Sequence, residues 1–247
     1  MTNKLEPKHQ SIFLVGGIFT LIVLAGVILD VAIGSMTGAD LTALPQTAVE
    51  RFEQFKTNAL MGLYNLDCLN MVNQLFMIPV YFALYVVHRR LAPAYSLFAL
   101  IVFLVGSILL VAGNTSLTMM DLSHKYAVAS SEEQKLLLAA AGEAMLAKGS
   151  HGSAGMFLGF ALPNLAGIII SLVMLKGKVF SKTVGILGIT GSTLLLSYIV
   201  LVTFAPSIEK QALLFSMPGG LLTMVWMILF TIKLFHLGKK QVLTIPS

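Results

Sequence analysis

The sequence predicts an all-α, polytopic integral membrane protein of six transmembrane helices with both termini cytoplasmic. Three observations carry that prediction. Of the 247 residues, 57% are hydrophobic and only 11% charged, against about a quarter charged in a soluble domain, and the mean hydropathy is +0.88. Six apolar runs each reach the roughly 20 residues that a helix needs to cross hydrocarbon. Lysines and arginines gather beside the ends of those runs, where they orient spans in a bilayer. No polar stretch is long enough to fold a second core, so residues 1–247 read as one integral membrane domain.

The runs lie near residues 11–34, 60–87, 94–120, 152–175, 183–204 and 215–236. HRRLAP (88–93) and KGKVFSK (176–182) are short basic joints, whereas 35–59 and 121–151 are longer and carry acids. With the termini inside, the cytoplasmic side holds Lys4, Lys8, Arg89, Arg90, Lys176, Lys178, Lys182, Lys233, Lys239 and Lys240. The other side keeps Arg51, Lys56, Lys125, Lys135, Lys148 and Lys210. That excess sets the orientation. Lys4 and Lys8 ahead of an apolar run also echo a secretory signal, with AIG (32–34) as its cleavage point. Ile12–Leu29 exceeds the apolar core of about 7–15 residues in such signals, so a retained first span is expected.

Two amphipathic helices are expected in the outer loops. In LPQTAVERFEQFKTN (44–58), Thr47 and Glu50 have capping-box spacing, and Val49, Phe52 and Phe55 recur at helical intervals. Ser130 and Glu133 repeat the box ahead of a Leu/Ala-rich segment reaching residue 149. Both helices suit the membrane face or a cover over the helix ends.

The second run contains an aspartate and three amides, in YNLDCLNMVNQLFMIP (64–79). Counting back about 20 residues from Val87 puts Asp67 at the outer border of the hydrocarbon, where a charge costs far less than at its centre. At 100° per residue Asp67, Asn70 and Gln74 share one face, with Asn73 on its flank. Such a face turns to other helices or to water. It serves either as an interhelical clamp or as a site for a cation, a proton or a polar ligand. Asp30, Asn114, Asp121 and His151 fall at the same depth by the same count. The ligand-binding candidates are therefore Asp67, Asn70, Gln74, Asp30, Asn114, Asp121 and His151, read as the lining of an outward-facing polar vestibule.

Other chemistries find less support. The net charge of +5 comes without a basic face interleaved with aromatics, so no nucleic-acid partner is expected. The single cysteine, Cys68, excludes an intramolecular disulfide and a cysteine metal knuckle. Asp121 and His124 are three apart, but no metal-binding helix pair accompanies them, and no metal or cofactor is assigned. HGSAG (151–155) lacks the strand of a nucleophile elbow. Gly155 and Gly159 form a GxxxG, and Gly185, Gly188 and Ser192 a second small-residue stripe, as helix–helix association in lipid requires.

Residues 84–110, LYVVHRRLAPAYSLFALIVFLVGSILL, and 158–196, LGFALPNLAGIIISLVMLKGKVFSKTVGILGITGSTLLL, carry a resemblance. The chain resembles, from its second span to its sixth, the bacterial six-span membrane proteins of the domain-of-unknown-function 4386 family. The resemblance implies a six-helix fold in a bacterial inner membrane, and no reaction or ligand. The function expected is binding, sensing or transport of a small molecule or ion through the vestibule, with the lipid bilayer as its surroundings. Two other classes stay open: an intramembrane enzyme acting on a lipid through Asp67, Asp121 and His151, and a scaffold for another membrane protein.

Overall fold

The computed structural model describes residues 10–37 and 45–239. The terminal lysines Lys4, Lys8 and Lys240, read from sequence as cytoplasmic, lie outside the described residues. Among the described residues there is no strand, and six helices are long and apolar enough to cross a membrane. In order the helices are α1 (Gln10–Thr37), α2 (Ala48–Thr57), α3 (Ala59–Tyr64), α4 (Cys68–His88) and α5 (Pro93–Gly113). There follow α6 (Ser116–Val128), α7 (Glu132–Gly149), α8 (Ala154–Gly177), α9 (Lys182–Phe204) and α10 (Glu209–Lys239).

The spanning helices α1, α4, α5, α8, α9 and α10 form a closed ring, each packed on the next and α10 returning to α1. Lipid-facing helices gain little from the hydrophobic effect, so close packing and interhelical bonds must hold such a ring. Small residues make it tight. A Cβ on Gly159 would stand 2.8 Å from the Leu110 Cα, which puts α8 nearly against the α5 backbone. Gly155 lies against the Lys148 carbonyl, so both members of the GxxxG are engaged within the chain. On α9, Gly188 faces Trp226 of α10 and Gly185 faces Leu175 of α8. Tyr81 and Phe103 stack at 3.8 Å between α4 and α5.

The joints at one end are short. Pro93 sits in the first turn of α5, where its missing N–H costs nothing. At the other joint Lys178 ends α8 in the left-handed region at φ 53°, and Ser181 caps α9 by accepting from the Val184 N–H at 3.4 Å.

At the opposite end α2, α3, α6 and α7 pack into a lid with its own core of Ala48, Phe52, Phe55, Leu66, Met119 and Leu146. The capping box of Thr47 and Glu50 forms. The second one does not: Ser131, one position later than expected, caps α7 by accepting from Gln134. Glu143 on α7 accepts the Ala48 N–H at 2.7 Å, fastening α7 to the start of α2.

The spans differ from expectation in two places. The run 60–87 is broken into α3 and α4, because Asp67 adopts the left-handed conformation at φ 59° and ψ 23°. The run 94–120 ends at Gly113, and its last residues belong to α6 of the lid. Asn114 joins the two breaks. Its Nδ2 donates to the Leu66 carbonyl at 2.8 Å, while its Oδ1 accepts from the Ser116 N–H and hydroxyl.

Candidate functional site

Lid and ring meet at Asp67. Its backbone is left-handed, a conformation disfavoured for most L-residues but tolerated by Asp and Asn, and its carboxyl caps no backbone N–H of the first turn of α4. The side chain is buried, at 7% exposure. Oδ1 accepts from Asn70 Nδ2 at 2.8 Å. Oδ2 lies 2.9 Å from His151 Nδ1. On the far side of that ring, His151 Nε2 lies 2.9 Å from the Tyr198 hydroxyl of α9.

Chemistry orders the protons in this chain. A carboxylate can only accept, so Nδ1 carries a hydrogen. In the neutral imidazole Nε2 is then the acceptor for the Tyr198 O–H. In the imidazolium Nε2 donates, and the hydroxyl must turn its hydrogen elsewhere. One proton on His151 thus reverses the bond to Tyr198 with no heavy atom displaced. Phe160 of α8 packs on the imidazole at 5.4 Å between ring centroids.

The other expected residues divide. Asp30, near the end of α1, lies within electrostatic range of Asp67 and His151, and its carbonyl accepts from the Tyr64 hydroxyl at 3.0 Å. Burial, followed by the neighbouring Asp30 carboxyl, pushes the Tyr64 phenol up to about 12, so it stays a donor. Gln74 donates through Nε2 to Ser107 of α5 at 3.2 Å. Asn114 is the tie between helix breaks described above. Asp121 stands exposed on the lid, paired with Lys125 at 2.6 Å, and takes no part in the cluster. Equal depth did not bring the five residues of the outer level together, because α6 turns Asp121 outward.

Below the chain a lumen of about 240 Å³ occupies the ring, lined from all six spans. Val23 of α1, Phe103 of α5, Leu195 of α9 and Met227 of α10 give it apolar walls. Asn70, Asn73, Gln74, Asn164 and Ser192 give it hydrogen-bonding groups. Asn70 belongs to both places, lining the lumen and bonding Asp67. Sequence reasoning missed Tyr198 and Trp226, placed Asn164 only beside the bend at Pro163, and read Ser192 only as part of a small-residue stripe. Their only signal was a polar atom within an apolar run, which must find a partner or a cavity.

The sequence model of a family described as a domain of unknown function, DUF4386, matches residues 13–233. The chain belongs to the DUF4386 family. The match takes in the first span as well as the second to the sixth, and the segments that form the lid lie within it. Comparison with curated proteins and with solved structures gives no match.

Proposed function

We propose that this membrane protein binds a small molecule in the lumen of its helix ring, with the Asp67–His151–Tyr198 chain at the mouth. The observation that carries this reading is Asn70, whose side chain both lines the lumen and donates to Asp67. An occupant that bonds Asn70 competes with, or reinforces, the hydrogen bond on the Asp67 carboxylate. Binding and the proton on His151 are thereby coupled, which suits sensing or transport as well as simple binding. Of the residues read from sequence, Asp67, Asn70, Gln74, His151 and Asp30 belong to this site, and Asn114 and Asp121 to the lid. The lysine and arginine bias sets the lid outward from a bacterial cytoplasmic membrane, so the mouth faces the exterior.

An enzymatic reading has one feature in its favour. Asp67 orients His151 as a carboxylate orients a general base, and a lipid reaching the lid could present it with a proton to remove. Native mass spectrometry of the protein released from nanodiscs tests both readings. A bound small molecule that is lost in Asn70→Leu supports the lumen. Turnover of bilayer lipid that is lost in His151→Gln supports the enzyme. A bare wild-type protein with no turnover removes both.

A further inference from the structure

Among the described residues the lumen lining contains no aspartate, glutamate, lysine, arginine or histidine. An ionic occupant would leave water for a site without a counter-charge, and its desolvation would not be recovered. The Asp67 carboxylate above is already engaged on both oxygens, by Asn70 and His151.

The hydrogen-bonding groups that remain include both acceptors and donors, and among the donors the Trp226 Nε1–H and the Thr223 hydroxyl have no partner among the described residues. Three amides have their orientation fixed by partners that can only accept. Asn70 Nδ2 donates to a carboxylate, and Asn164 Nδ2 donates to the Phe160 carbonyl at 2.9 Å. Gln74 Nε2 meets the Ser107 hydroxyl, whose own hydrogen goes to the Phe103 carbonyl at 2.8 Å. Asn70, Gln74 and Asn164 all line the lumen, and their amide oxygens have no donor among the described residues. Ser192, 3% exposed, lines it too without a hydrogen-bond partner among them.

Resting on the binding reading above, we infer that the lumen takes a neutral, hydroxyl-bearing amphiphile. A hydroxyl donates to an amide oxygen and accepts from Ser192, which no purely apolar or acceptor-only molecule can match. Its hydrocarbon part lies along Met77, Phe103, Leu195 and Met227. The hydroxyl compound can come from the aqueous phase or from the bilayer.

The test uses Trp226, the chain's single tryptophan and a lining residue. Full-length protein in nanodiscs is titrated with 1,2-hexanediol, hexylammonium and hexanoate in solution, and with 1-dodecanol in the bilayer, while indole emission is followed. A saturable change with the diol or the dodecanol, at least tenfold weaker with both ions, is expected. The stronger of the two neutral probes identifies the aqueous or the bilayer source. Gln74→Met should weaken the neutral probe about tenfold, and Ser192→Leu, which fills the space, should remove the response. An ion that binds as tightly as the neutral probes overturns the neutral class and leaves the lumen reading standing. A neutral response unchanged in Gln74→Met and in Asn164→Leu overturns the hydroxyl recognition alone. No response to any of the four probes removes both.

Discussion

Asp67 and His151, 84 positions apart in the chain, meet at 2.9 Å where lid and ring join. This contact fixes the loop that launches α8 against the first turn of α4. Asp67→Asn keeps the left-handed backbone accessible and loses the charge-assisted bond, so about 1–3 kcal/mol of stability should go. Asp67→Ala loses the bond and also pays for a β-carbon at positive φ. Asp67→Gly, free of that strain, should lie roughly 1 kcal/mol above the alanine variant. Thermal unfolding in one detergent gives the order; alanine at or above glycine would refute the role assigned to the backbone.

Tyr198→Phe deletes one hydroxyl and leaves the packing of the ring in place. A neutral–neutral hydrogen bond is worth about 1 kcal/mol net, so this variant should cost less than Asp67→Asn. A loss equal to or larger than that of the aspartate variant would mean that Tyr198 has a role beyond His151.

Two glycines should respond oppositely to alanine. At Gly159 the added methyl meets the Leu110 Cα at 2.8 Å and N at 3.0 Å, and a backbone cannot swing aside. Gly159→Ala should therefore cost about 1–3 kcal/mol by pushing α5 from α8. Gly220 has nothing within 4 Å of such a methyl, so Gly220→Ala should be neutral or gain up to about 1 kcal/mol from helix propensity. Unfolding measured side by side checks the pair.

Acid should loosen the start of α2. Hydrogen bonds from the Thr47 and Gln46 backbone N–H groups hold the Glu50 carboxyl below its ordinary value of 4.5. A depressed carboxylate contributes its stability fully above the unfolded value and loses it as pH falls through the folded one. The protection of the amides at residues 47–50, their exchange corrected for its intrinsic pH dependence, should thus be unchanged from pH 7 to about 5 and should fall below 4.5. Glu50→Gln should flatten that dependence.

The ring was legible because length and hydropathy are local properties of each run. So was the shared face of Asp67, Asn70 and Gln74, which follows from 100° per residue alone. Their partners were not. His151 and Ser107 reach that face only through the packing of α8 and α5, and no spacing encodes it. The break before Cys68 was hidden because LYNLDC carries neither glycine nor proline, and an aspartate in left-handed geometry leaves little trace in composition. Asp121 shows the limit of reading depth: a count along the chain gives height in the membrane but not azimuth. Tyr198 failed for another reason, since a tyrosine near a span's end is equally suited to anchoring at the lipid interface.

Because α10 returns to α1, the first and last described helices are neighbours, with Gly238 lying against Leu14 and the Gln10 carbonyl. A short linker could therefore join residue 239 to residue 10, and the chain could be opened afresh in the joint between α8 and α9. Such a circular permutant would thread α9 and α10 first and the other four spans after them, each in its original direction. The ring, in other words, has an order but no intrinsic beginning.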